Sequence, residues 1–262
     1  MPKIEHNFKN GHFLKSEEAV AEVLDYITII GILLLSFSVI GLGGYPILKS
    51  AQETRYIENT KLTFIILAES FNKIALGHTL SQSLELKMYG GRLGVTGKSS
   101  DSSIKINATW YNSTKHGNEE ITLYDQQMRT VENTIGDTAV AYEGTGVWIK
   151  YPNGYVLNAH KPLFSNQGNM FVIPVMNIGG VSSAGGSGIN RIRAEGNSDV
   201  DFYGNVSNLT VTINSSYIDG WKNYYKDELS FSDCDPGKCT VRLNRSNLDV
   251  YILRAKMDVV IR

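Results

Sequence analysis

Three sets of residues in this chain have the type and spacing for chemistry: six Asn-x-Ser/Thr triplets, two cysteines and two Asp-x-Asp pairs. The triplets begin at Asn107, Asn112, Asn205, Asn208, Asn214 and Asn244. A side-chain amide in that setting accepts an N-linked glycan, which would mark these segments as an outer surface. The plainer reading is that Asn, Ser and Thr are common in β-turns. Cys234 and Cys239 stand in CDPGKC, with Pro-Gly between them. That spacing suits a disulfide closing a short loop and hence an oxidising compartment. A metal half-site would need further Cys or His nearby, and none is close in sequence; two free thiols are the other alternative.

Asp199 with Asp201, and Asp233 with Asp235, could hold a Ca²⁺ ion if carbonyls joined them. EF-hand spacing is absent, and solvated turn carboxylates are the simpler expectation. The five histidines, His6, His12, His78, His116 and His160, form no H-E-x-x-H, and each is expected at the surface. Ser182, Ser183 and Ser187 lie in a Gly-rich stretch with no identifiable acid or histidine partner. Neither G-x-S-x-G nor a phosphate-binding loop is present. The expectation is therefore a protein that is not an enzyme, with no catalytic residues, no cofactor and no metal. A monomeric tethered binding module or hydrolase is the alternative. The net charge of −1 gives no case for nucleic acid as a partner.

The element that must position all of this is residues 26–48, YITIIGILLLSFSVIGLGGYPIL, which carry no charge. As a helix the run is roughly 35 Å long, enough to cross a hydrocarbon core of ~30 Å. It is longer than the apolar part of a secretory signal. Glu17, Glu18, Glu22 and Asp25 stand where a signal would carry positive charge, so a retained anchor is expected. Lysines and arginines flank the run equally: Lys3, Lys9 and Lys15 before it, Lys49, Arg55 and Lys61 after it. The triplets and cysteines decide orientation instead, predicting the N-terminus inside and the C-terminal domain outside, at the cell surface.

In chain order, residues 1–16 read as a cytoplasmic tail or pre-segment. Residues 17–48 form the transmembrane helix, with Ser16 as its cap. Gly43-Gly44 and Pro46 predict a kink or short break. Residues 49–77 form an amphipathic helix whose stripe of Phe64, Leu67, Ala68, Phe71, Ile74 and Ala75 packs on the protein's own sheet or on neighbouring copies. Residues 83–262 form an extracytoplasmic, β-rich, sandwich-like domain. Its candidate strands are 83–89, 92–96, 103–110, 120–124, 138–143, 146–151, 170–177, 189–195, 209–214, 239–244 and 248–261. Residues 179–188, GGVSSAGGSG, read as a flexible loop. Residues 215–229 read as one further helix, with Tyr217, Trp221, Tyr224 and Tyr225 docking it on the sheet or forming a glycan-binding patch. The fold class is thus α+β, a long N-terminal helix followed by a β domain with one additional helix.

Ala19-Val20-Ala21-Glu22-Val23-Leu24, running into the apolar helix, resembles the start of archaeal type IV pilin-like and archaellin-like proteins. Gly90-Gly91-Arg92-Leu93, Gly146-Val147-Trp148-Ile149-Lys150-Tyr151, Phe171-Val172-Ile173-Pro174-Val175 and the 215–225 helix with its Trp look like an uncharacterised family of archaeal envelope proteins. The resemblance runs from Glu18 onward. It implies a surface or pilin-like role, with membrane lipid and copies of itself or other pilin-like subunits as partners. It also implies that Glu18 or Glu22 pairs with a neighbour's freed N-terminus during assembly. The chain departs from the family pattern at the processing site: Lys15 is followed by Ser16-Glu17-Glu18 rather than by Gly or Ala. If the residues are not processed there, both glutamates simply sit at the start of an anchor helix.

Overall fold

The computed structural model describes residues 11–97, 101–112, 116–229, 233–235 and 238–262, with the backbone alone for 11–19, 111–112, 233–235 and 246. Two compact units divide the chain, residues 1–54 and 55–262.

In the first unit, α1 spans Gly11–Val39 and is followed by a π-helical turn, Ile40–Gly44. Helix α2 begins at Tyr45 and ends at Ala75. The kink expected near Gly43-Gly44 and Pro46 takes the form of that wide turn. Pro46 has no N–H to donate to the residue four earlier, and its ring crowds that carbonyl. One extra residue in the turn relieves both problems without breaking the helix. The start of α1 differs from expectation, because the helix already includes Gly11 and runs through Ser16, so Ser16 is not its cap.

Among the described residues, the second unit holds the C-terminal part of α2, twelve strands and α3 (Ile218–Leu229). Strands β1 (Ser81–Thr96), β2 (Ser102–Asn112), β3 (Gly117–Gln127) and β4 (Thr130–Ile135) come first. Next are β5 (Thr138–Glu143), β6 (Gly146–Lys150), β7 (Val156–His160), β8 (Ser165–Gln167) and β9 (Met170–Gly179). Strand β10 (Ser183–Ser215) precedes α3, and β11 (Asp233–Asp235) and β12 (Lys238–Ile261) follow it. All join one hydrogen-bonded sheet in the order β7-β6-β5-β4-β1-β10-β12-β9-β8. Strand β2 adds to β10 and β3 to β2, while β11 adds to β12. Pairing is antiparallel except between β12 and β9. The expected α+β architecture is the one observed.

Two buried cores share this sheet. The first is built on the α2 stripe: Phe64, Leu67, Ala68, Phe71, Ile74 and Ala75 are all buried with Leu86, Val140, Tyr142, Val147, Ile149 and Met257. The stripe therefore packs on the protein's own sheet. The second core surrounds α3, whose Trp221 and Tyr225 are buried with Trp148, Phe171, Val211 and Val250. Strands β5 and β6 lie between the two. Val140 and Tyr142 face the α2 core and Ala141 the other, and Val147 and Ile149 flank Trp148 in the same way. Alternation of successive side chains makes this possible, and it explains why these strands are apolar at nearly every position.

Asn72 locks α2 to the β5–β6 hairpin. Its Nδ2 donates to the Thr145 carbonyl at 3.0 Å, and its Oδ1 accepts from the Tyr142 hydroxyl at 2.9 Å. On the other face, α3 approaches β6 closely because residue 220 is glycine. A Cβ there would lie 2.6 Å from Cε3 of Trp148 and 2.7 Å from Cγ1 of Val156. Gly144 plays the matching part in the hairpin, with φ of +57° and no room for a Cβ beside Trp221.

Several expectations are corrected. Residues 83–89 and 92–96 are one strand interrupted by a bulge between Tyr89 and Arg92. Residues 183–188 of the expected Gly-rich loop are strand paired with β1 on both sides of the bulge, with Ser183 opposite Gly94 and Ser187 opposite Tyr89. Asp199 and Asp201 lie within β10 rather than in a turn.

Gly220→Ala is expected to destabilise the protein by about 1–3 kcal/mol through overpacking, although alanine is about 1 kcal/mol the better helix former. Thermal unfolding of the full chain in detergent micelles checks this; an unchanged or raised Tm would overturn the close-approach account.

Candidate functional site

Among the described residues, the one buried acidic or basic side chain is Glu143, at the end of β5. It is completely buried. Its Oε2 accepts from the Ser102 and Thr130 hydroxyls, each at 3.0 Å. Its Oε1 accepts from the Ser215 hydroxyl at 2.5 Å and from Trp221 Nε1 at 2.9 Å. The four donors come from β2, β4, β10 and α3. Its own carbonyl accepts from Trp148 Nε1 at 3.1 Å. Burial pushes the Glu143 carboxyl above the usual carboxylate range, and the four hydrogen bonds pull it partly back. The Tyr217 hydroxyl, two residues from Ser215, donates to Glu132. Burial and that neighbouring carboxylate push the Tyr217 phenol up. This arrangement has the chemistry of a structural knot: four side-chain donors from four elements converge on one buried carboxyl group.

The other candidate groups do not converge. Among the described residues no cluster of three or more His, Cys, Asp or Glu could hold a metal ion. Asp201 is committed to Arg254, with Oδ1 at 2.9 Å from Nη2 and Oδ2 at 2.5 Å from Nε. His78 and His116 are exposed; His160 is half-buried on β7, opposite Val147. His6 lies outside the described residues, as does the side chain of His12. The α3 aromatics are core: Trp221 lies 4.7 Å from Trp148, and Phe164 meets Trp221, Tyr224 and Tyr225 edge-on. They dock the helix and leave no glycan-binding stripe.

Strand β11 places the backbone of Cys234 directly opposite Cys239 of β12. Cys239 is buried and is not a free thiol. The described sequon asparagines sit on neighbouring strands: Asn107 on β2, Asn205, Asn208 and Asn214 on β10, and Asn244 on β12, with Asn208 opposite Asn244. Asn205 and Asn244 are exposed, and the other three are half-buried. The Asn112 side chain lies outside the described residues.

The large unsatisfied surface is the helix. From Val20 to Leu48 its apolar side chains are exposed, among them Leu33, Leu34, Leu35, Phe37, Ile40, Leu42 and Ile47. The aliphatic hydroxyls in this stretch satisfy themselves: Thr28, Ser36 and Ser38 each donate at 2.8 Å to the carbonyl four residues back. Nothing lies within 4 Å of the positions that a Cβ on Gly31, Gly41 or Gly43 would take. Glu22 is exposed, and the side chain of Glu18 lies outside the described residues.

Fold and surface together define the class: an α+β chain with one N-terminal helix long and apolar enough to cross a membrane. It belongs to DUF7289, a family of unknown function, whose model matches residues 18–260. No curated protein and no solved structure matches the chain.

The Glu143 knot was not read from the sequence; a lone glutamate ending an otherwise apolar strand is its signal. Because its folded pKa is raised, it contributes stability that is fully present below the unfolded carboxylate range and is lost as pH rises through the folded value. Glu143→Gln should flatten this dependence, since an amide can accept from Trp221 and Ser215 and donate to two hydroxyls. Glu143→Ala should cost about 2–4 kcal/mol through a cavity and an unpaired indole N–H. Tm measured between about pH 4 and about pH 8 checks both; an identical pH slope in wild type and Glu143→Gln would overturn the assignment.

Proposed function

We propose that this chain is a pilin-like cell-envelope protein, anchored in a membrane or assembled into filaments, with a structural or adhesive role. One observation carries the reading: the uncharged, uncovered apolar helix surface over residues 26–48. Exposed side chains of this kind and number are stable only in lipid or against other apolar helices. Lipid satisfies them along the full ~30 Å of hydrocarbon. In a filament, helix packs on helix, and the notches at Gly31, Gly41 and Gly43 permit close backbone approach.

The N-terminus lies inside and the β domain outside the cell, as a glycosylated exterior. The clustering of sequons on β2, β10 and β12 supports that side for the domain. A Cys234–Cys239 crosslink closing the β11–β12 hairpin belongs to the same reading, supported by their register and by the absence of a free thiol at Cys239. Glu22, and Glu18 beside it, supply the carboxylates for pairing with a neighbour's N-terminus if the tail is trimmed. The archaeal origin that the motifs imply fits such an envelope role. Lipid and further pilin-like subunits are the partners, and nucleic acid is not.

Leu34→Arg places a charge mid-helix at a cost of about 2.5–3.5 kcal/mol. Wild type should stay in the membrane pellet through alkaline carbonate extraction, and the variant should be released or fail to accumulate. A wild-type chain that is monomeric and water-soluble without detergent would sink the anchor. Shearing of cells separates the two forms of the proposal. Recovery in sedimenting filaments supports assembly, whereas recovery in vesicles alone leaves a tethered module.

A further inference from the structure

The five described sequons are not equivalent, and the fold ranks them. We infer that Asn205 is the asparagine that carries an N-linked glycan, and that Asn107 and Asn214 do not; the inference rests on the outward placement of the β domain proposed above.

The asparagine Nδ2 is the atom that must hold the sugar. At Asn107 it donates to Glu120 Oε1 at 2.8 Å, and Oδ1 accepts from the Thr122 hydroxyl at 3.0 Å. The whole amide is thus clasped by β3. At Asn214, Nδ2 donates to the Ser103 hydroxyl of β2 at 3.1 Å. Both side chains are half-buried between paired strands, so a sugar there displaces cross-strand contacts.

Asn205 differs in each respect. It is exposed, and it lies where β10 leaves register with β12, between Tyr203 and Val206. Its φ is +59°, in the left-handed region, which turns the residue out of the ladder. Asparagine tolerates that conformation better than most residues. The bulge is held from below, because Trp110 Nε1 donates to the Gly204 carbonyl at 3.1 Å. Tyr203 stands two residues before Asn205, and its ring lies 6.1 Å from that of Trp110. An aromatic ring at that offset offers a face for the C–H side of the first sugar. Among the described sequons this is the one with an aromatic two residues upstream; Asn107, Asn208, Asn214 and Asn244 follow Lys105, Val206, Thr212 and Arg242.

The reaction needs a lipid-phosphate-linked oligosaccharide as donor. The sugar C1–O bond to phosphate breaks, C1 bonds to Nδ2 of Asn205, one amide proton is lost, and the lipid phosphate leaves. In the folded domain the sequon's Ser207 hydroxyl donates to the Thr109 carbonyl at 2.7 Å. Transfer at Asn205 requires that one hydroxyl bond to open, whereas at Asn107 and Asn214 the accepting amide itself must first be freed from β3 or β2.

The full-length protein, extracted with detergent from its natural host, tests this by glycopeptide mass spectrometry with fragmentation that leaves sugar on the asparagine. The expected result is a sugar mass on Asn205, lost in Asn205→Gln and retained in Asn107→Gln and Asn214→Gln. Tyr203→Leu should lower occupancy at Asn205 while leaving the protein in the membrane. Sugar on Asn107 or Asn214, or a bare Asn205 beside sugar on any other sequon, overturns the ranking. A chain with no sugar on any of the five overturns the site altogether. Carbonate extraction of the same sample shows separately whether membrane placement has failed with it.

Discussion

A carboxylate removed from water must be met by donors, and Glu143 is met by four from four different elements. None of those elements can shift alone without leaving an unpaired group in the core. Ser102 fixes β2, Thr130 fixes β4, Ser215 fixes the end of β10 and Trp221 fixes α3. The aromatic packing around α3 is arranged about this point, and so is the close approach that Gly220 and Gly144 permit. Apolar packing alone would tolerate sliding of α3 over β6. The hydrogen-bonded carboxyl group favours the one register in which all four donors reach it.

The α2 side of the sheet uses the same logic with a neutral group. Asn72 bonds one hairpin carbonyl and one tyrosine hydroxyl, so the helix stripe is set in both depth and rotation. The helical chain thus changes partner along its length. Up to Leu48 it presents apolar side chains to its surroundings, and from Phe64 onward it spends them on its own sheet. Leu62 and Ile66, on the same helix, stay exposed. The domain core is complete without drawing on the apolar segment before Leu48.

Much of this was legible in the sequence. The helix stripe at 64, 67, 68, 71, 74 and 75 follows the 3.6-residue period, and β5 and β6 stand out as apolar runs between turns. Strand β10 was not legible as one element. Its core-facing residues are Ile192 and Ala194 at one end and Val206, Leu209, Val211 and Ile213 at the other, one set for each core. Between Ala194 and Val206 no residue is fully buried, so the alternation fades and Asp199 and Asp201 look like turn residues. Strand β4 is hard to read because Glu132 and Asn133 at its centre carry little β signal; pairing with β1 and β5 decides it. Glu143 looked like a strand end because a buried acid is recognised only by donors that arrive from elsewhere in the chain.

The placement of β12 bears on how the domain comes into being. It lies between β10 and β9, both of which precede it in the chain. Until residues 238–261 have been synthesised, those two strands have nothing to pair with on the sides they will share with it. The sheet is then two fragments with open, sticky borders. The apolar helix emerges from the ribosome more than 150 residues earlier. Lodging that helix first would leave the unfinished fragments tethered apart from those of other chains, which guards against the cross-pairing that so late a keystone strand invites.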